Sequence, residues 1–98
     1  MFFELAHVFK EGCPRAIEEI RRAIGTQDAT MLERHAHNLK GSSANLGASG
    51  VPLAAGALED CARSGNLKQA NDLFKALEQE LDLLLSELEA IPQSIVTT

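Results

Sequence analysis

The chain has 98 residues and a mass of 10.6 kDa. That is room for one domain, burying roughly 60 to 70% of its unfolded surface around a single core. Hydrophobic residues make up 45% and charged residues 23%, with four Phe and no Trp or Tyr, which suits a helical domain with an aliphatic core. A net charge of −5, with only nine Lys and Arg spread along the chain, excludes a protein built to grip a nucleic-acid backbone.

Phe2, Leu5, Ala6 and Phe9 mark a short amphipathic helix that Glu11-Gly12 should interrupt. Pro14 then suits the first position of a second helix, where its missing N–H has no partner to lose, and Ile17, Ile20 and Ile24 continue the pattern to Gly25. Asp28 is the expected N-cap of a third helix, which should stop at Gly47, a residue able to take the left-handed conformation. Val51, Ala54, Leu58 and Cys61 form a fourth stripe, started near Ser49 with Pro52 in the first turn and ended by Gly65. Asn66 can cap the longest helix, in which Leu67, Ala70, Leu73, Phe74, Leu77, Leu81, Leu84, Leu88 and Ile91 recur every three or four residues before Pro92.

Short connections between such helices force antiparallel neighbours, so the expected fold is all-α, an up-down four-helix bundle with a short additional N-terminal helix. Residues 1–92 form the domain, and 93–98, with no stripe to bury, form a flexible tail. A dimeric coiled coil fits less well, because the third-helix stripe is small or polar and the loops are short. A monomer is expected. The longest apolar runs, Met1 to Phe3 and Leu83 to Leu85, fall far short of the ~20 residues needed to cross a bilayer. No charged n-region leads into an apolar h-region, so the domain is expected in the cytoplasm without membrane contact of its own. Cys13 and Cys61 have no metal spacing and read as reduced core thiols.

The chemistry lies in the third helix. At about 100° per residue, Leu32, His35, Leu39, Ser42 and Leu46 follow the spacing of one packed stripe, and His37 points about 200° away from Leu39, into solvent. Lys40 and Gly41 lie one turn along the same face and Glu33 and Arg34 one turn back. Glycine in a helix interior costs roughly 0.5 to 1 kcal/mol relative to alanine. Gly41 therefore reads as a concession to something that must approach closely. His35 and His37, two residues apart on a helix, cannot share a metal ion, so no metal site is expected there. His35 reads as an inward or boundary imidazole, His7 as surface or boundary packing, and Ser42 and Ser43 as packing residues that bond back to helix carbonyls.

The run Ala36-His37-Asn38-Leu39-Lys40-Gly41-Ser42, followed by Leu46-Gly47-Ala48, resembles the signature of the histidine-containing phosphotransfer (HPt) domains of two-component phosphorelays. The likeness extends in length and helix layout from Phe2 to Ile91, with His35 a departure at a position more often apolar or small. It implies that His37 is the phosphoacceptor, Lys40 the cation that steadies the phosphoryl group and Gly41 the clearance for an incoming receiver domain of a response regulator. Arg34, Asn38 and Ala44 would be further contacts for that partner.

Phosphoryl transfer needs an aligned nucleophile and counter-charge on the equatorial oxygens. The chain has no Walker-type loop, kinase Gly-rich turn or acidic cluster, so it reads as a phosphocarrier that binds no cofactor and cannot use ATP by itself. The resemblance assigns the phospho-aspartate and the Mg²⁺ site to the receiver. The imidazole nitrogen away from the backbone, Nε2, would then attack the acyl phosphate reversibly. Such a relay could be free-standing or the C-terminal module of a hybrid sensor kinase. Two other readings were open: a dimerising phosphoacceptor domain of a sensor kinase, whose acidic residue after the histidine and nearby proline are absent here, and a non-phosphorylated helical adaptor.

Overall fold

Four helices, with short connections between them, make up the described residues, 2–46 and 49–89, of the computed structural model: α1 Phe2–Gly25, α2 Ala29–Ala44, α3 Gly50–Ser64 and α4 Ala70–Glu89. Side chains are described for 9–46 and 49–88. Each helix packs on its neighbours in sequence and α1 also meets α4, most extensively between α2 and α3 and most thinly between α1 and α4. The two diagonals make no such contact, which gives the up-down bundle expected from the short loops.

The N-terminal segment differs from expectation. The chain does not break at Glu11-Gly12; α1 runs through Pro14, so the separate short helix is the first part of α1. An interior proline removes the hydrogen bond to the carbonyl four residues back and costs about 3 kcal/mol. Against that, Phe9, Cys13, Ile20 and Ala23 are all buried on one face, with Ile17 and Ile24 packed beside them. A break at Gly12 would throw Phe9 and Cys13 out of phase, and burying large side chains contributes about 1.5 to 3 kcal/mol each.

Helix ends follow local chemistry. Past Gly25, Gln27 N–H bonds to the Ile24 carbonyl (3.1 Å) and Asp28 N–H to the Ala23 carbonyl (2.9 Å), a Schellman pair that requires Gln27 to sit at φ 55°. Asp28 then caps α2 as expected, its carboxylate accepting from Met31 N–H at 3.1 Å. The helix ends at Ala44 with Asn45 as C-cap, and the expected stop at Gly47 lies outside the described residues. Ser49 precedes α3 but makes no side-chain cap bond. Instead, the Glu80 carboxylate from α4 fills the space that a Cβ on Gly50 would need, an anion set against the positive end of α3. Gly65, at φ 78°, ends α3 with its N–H on the Ala62 carbonyl.

Asn66 does not cap α4. Its side chain accepts from Lys68 N–H at 3.1 Å, an Asx turn that delays the helix to Ala70. Ile91, Pro92 and the boundary with the 93–98 tail lie outside the described residues. On the α1–α4 side, Arg21 stands over the Phe74 ring at 5.7 Å and pairs with Glu18 and Glu78.

In α2 the buried stripe is Leu32, Ala36, Leu39, Ser43 and Leu46. The expected stripe took the same leucines but filled the gaps with His35 and Ser42; His35 is half-buried at the α1 boundary and Ser42 is exposed. Small residues at 36 and 43 win the inward positions because α3 packs closely there, and the buried Ser43 hydroxyl is satisfied by the Leu39 carbonyl at 2.8 Å. In α3 the stripe is likewise offset, with Ala55 and Ala62 buried and Ala54 and Cys61 only half-buried. Cys13 and Cys61 are both free thiols. Burial, aided by Asp82, pushes the Cys13 thiol above its ordinary range.

The left-handed Gln27 gives the first test. A side chain there is strained by roughly 1 to 2 kcal/mol, partly offset by the extra freedom glycine has when unfolded. Gln27→Gly should therefore raise stability by about 0.5 kcal/mol. Urea unfolding with an unchanged m value would report it; a loss of stability would show that the turn does not hold Gln27 in that conformation.

Candidate functional site

His37 emerges from α2 with its side chain 63% exposed, as the helical phase requires. What the phase could not supply is a partner. Nδ1 lies 2.8 Å from Oε2 of Glu59, a residue of α3 that is only 4% exposed. The same carboxylate receives Lys40 Nζ on Oε1 at 2.8 Å and Arg63 on Oε2 at 3.1 Å, while Arg63 also donates to Glu33 at 3.0 Å. One buried anion thus gathers an imidazole, an ammonium and a guanidinium from two helices.

This convergence follows from packing. Glu59 is four residues from Ala55 and three from Ala62, on the buried edge of α3, so its carboxyl group can reach outward only along α2. On α2, His37 and Lys40 are three residues apart and flank the contact line. Gly56 of α3 makes room for the Lys40 stem, whose Cδ would lie 3.5 Å from a Cβ at that position.

The electrostatics decide the histidine's tautomer. The Lys40 hydrogen bond, followed by the hydrogen bond from His37, holds the Glu59 carboxyl below its ordinary value of 4.5, against the opposing effect of burial. An ionised carboxylate can only accept, so the proton between it and the ring belongs to Nδ1. In the neutral imidazole the lone pair is then on Nε2, which makes no hydrogen bond among the described residues. The hydrogen bond to Glu33, aided by the charges of Glu33 and Glu59, raises Arg63 and keeps it cationic.

The other expected residues divide. Gly41 is exposed and a Cβ there would meet nothing within 4 Å, so the surface beyond His37 is open. Arg34, Asn38 and Ala44 are exposed on the same helix. Lys40 is half-buried and turned onto Glu59, where the sequence placed it beside the imidazole in open solvent. His35 faces α1, its Nδ1 3.1 Å from Glu19, and takes no part in the cluster. The side chain of His7 lies outside the described residues.

Glu59 is the residue that sequence reasoning missed. It sits beside an apolar stripe, in a Glu-x-x-x-Arg pair that reads as an ordinary solvated helix pair, and nothing in α3 announces that α2 covers it. Two acids and two bases in one patch might suggest a metal centre, but among the described residues no group of three or more His, Cys, Asp or Glu could hold an ion. No helix among them is long and apolar enough to cross a membrane.

Comparison with known proteins agrees with this geometry. The family model described as "Hpt domain" matches residues 4–90. Histidine-containing phosphotransfer protein 2 of Arabidopsis thaliana is 31% identical over 88 residues, covering 80% of this chain and 56% of that protein. Histidine-containing phosphotransfer protein 4 of the same plant is 30% identical over 88 residues, covering 88% of this chain and 69% of that protein. The chain thus spans little more than half the length of the first relative. No solved structure matches.

The cluster makes a pH prediction. Glu59 is lower in the folded chain than in the unfolded one, so its stabilising effect is complete above the unfolded value and is lost as pH falls through the folded value. Carboxyl ¹³C NMR should show Glu59 titrating below 4.5, and Lys40→Met should move that titration upward by removing its largest cause. The variant should also lose less stability than wild type between neutral pH and about pH 3. An unmoved Glu59 titration would mean that Lys40 does not hold the carboxylate.

Proposed function

This chain belongs to the Hpt domain family, and from that premise we propose that it is a phosphorelay intermediate, taking a phosphoryl group on His37 from the aspartate of one receiver domain and passing it to that of another. The observation that carries the reading is the division of labour on the His37 ring. Nδ1 is tied to a buried carboxylate, and Nε2 is left with its lone pair on an exposed face. A nucleophile already oriented needs only to be met in line by the acyl phosphate.

In the transfer, the Nε2 lone pair forms the N–P bond as the aspartyl O–P bond breaks, and the electron pair leaves with the aspartate oxygen. The reverse sequence delivers the group to the next receiver. Lys40 is within reach of the same region, and phosphoryl oxygens would compete with Glu59 for its ammonium, a charge-assisted contact that steadies the transferring group. Gly41 leaves the surface above His37 clear, and Arg34, Asn38 and Ala44 surround the approach as receiver contacts. The basic groups here complement an acidic receiver pocket, which chiefly raises the rate of encounter.

The receiver brings the acidic Mg²⁺ site in this scheme, and the chain acts as a phosphocarrier rather than as an ATP-using enzyme. It works as a monomer in the cytoplasm, and the chemistry is the same whether the domain stands alone or is joined to a sensor kinase.

Incubation with a phosphorylated receiver domain and Mg²⁺ tests the assignment. Wild type and His35→Gln should both take up acid-labile, base-stable phosphate, and His37→Gln should take up none. Label that survives in His37→Gln and vanishes in His35→Gln would reverse the assignment of the two histidines. Lys40→Met should slow exchange without stopping it, by roughly 1 to 3 kcal/mol in activation free energy.

Clearance at Gly41 is tested separately. Gly41→Val should keep the helical circular dichroism, because no atom waits within 4 Å of the added Cβ, yet block transfer by obstructing the partner. Normal transfer in a folded Gly41→Val domain would show that no partner comes that close.

A further inference from the structure

The partner of Nδ1 matters as much after transfer as before it. The argument rests on His37 being the acceptor. With Glu59 ionised at 2.8 Å, the proton between the two groups is on Nδ1 in the unmodified domain. When Nε2 gains the phosphoryl group and the aspartate oxygen leaves with its electron pair, no proton has to move. The ring then carries a phosphoryl group on Nε2, a proton on Nδ1 and a positive charge, directly beside the carboxylate.

We propose that Glu59 is a positioning residue that keeps phosphorylated His37 in this Nδ1-protonated form, holding the phosphoryl group ready for transfer rather than in storage. The chemistry of departure explains the effect. When the N–P bond breaks, its electron pair returns to Nε2. From the protonated ring a neutral imidazole leaves; from the neutral ring an imidazolate would have to leave, a far poorer leaving group. A nearby anion favours the protonated form, and a buried one is little screened by salt.

The surroundings do not oppose this. From α3 the ring is faced by Glu59 and, through it, Arg63; on α2 lie Lys40, Glu33 and Arg34. Lys40 and Arg63 are matched by Glu59 and Glu33, so the ionic cluster itself presents no net positive charge to the ring. Asp60, 3.8 Å from Arg63, adds a further negative charge. From α1, Glu19 is engaged with His35 on the opposite side of α2.

The domain can be phosphorylated chemically with phosphoramidate, without any receiver, and its ring followed by ¹⁵N and ³¹P NMR across pH. In wild type, the phosphohistidine should retain a protonated Nδ1 through neutral pH. In Glu59→Gln, which preserves shape and removes charge, the ring should lose that proton at least about one pH unit lower, and the phosphohistidine at neutral pH should survive about tenfold longer. The wild-type ¹⁵N spectrum decides the matter even if the variant fails to fold: an unprotonated Nδ1 in phosphorylated wild type at neutral pH overturns the inference. Identical pH profiles in wild type and folded Glu59→Gln overturn it as well, because a merely structural glutamate would leave the profile unmoved. Phosphoramidate label that never reaches His37 would remove the acceptor reading itself, and this one with it.

Discussion

An ionised carboxylate with 4% of its residue surface in contact with solvent persists in a small helical bundle only if donors surround it. Glu59 meets that condition by drawing one donor from its own helix, Arg63, and two from α2, His37 and Lys40. This requirement fixes the relative register of α2 and α3 at the site, since a shift of one residue on either helix would leave the anion without a partner. The close approach depends on small side chains at the contact, Ala36 and Ser43 on α2 and Ala55, Gly56 and Ala62 on α3. The largest helix–helix contact in the bundle is accordingly the one that builds the site.

The same constraint separates two histidines that are nearly adjacent in sequence. His35 is half-buried and pairs with the partly exposed Glu19 of α1, an ion pair at a helix boundary. His37 is exposed, yet its inner nitrogen is committed to a buried anion, so it has the order of a core residue and the access of a surface one. An exposed imidazole on a long lever would ordinarily sample several rotamers. Here one hydrogen bond to a fixed acceptor selects both rotamer and tautomer, which is the preorganisation that in-line attack rewards.

Charge is organised locally rather than globally. The chain is acidic overall, but the face around His37 gathers Arg34, Lys40 and Arg63, two of them already neutralised by Glu59 and Glu33. In the proposed transfer, these cations are held in reserve by carboxylates and become available to phosphoryl oxygens without leaving unpaired charge in the resting domain. Elsewhere the bundle is held by ordinary means, an aliphatic core and capped or glycine-terminated helices, with Glu80 standing in at the α3 N-terminus where Ser49 makes no cap bond.

Periodicity and local chemistry were sufficient for much of this. The spacing of apolar residues determined the helical class and the antiparallel order. Asp28 and Gly65 marked ends because capping and left-handed glycine are properties of a few adjacent residues. The exposure of His37 and the open ground at Gly41 followed from helical phase alone. Three things lay beyond local reading. Pro14 argued for a helix start, and only the common burial of Phe9 and Cys13 with Ile20 shows why α1 continues through it. His35 and Ser42 fitted the α2 stripe as well as Ala36 and Ser43 did, and the closeness of α3 decided between them by size. Glu59 lies 22 residues from His37 and belongs to another helix, so no pattern within either segment connects them. Their meeting is a product of packing, because a side chain's partner across an interface depends on how two helices are set against each other, and that information exists only once both are folded together.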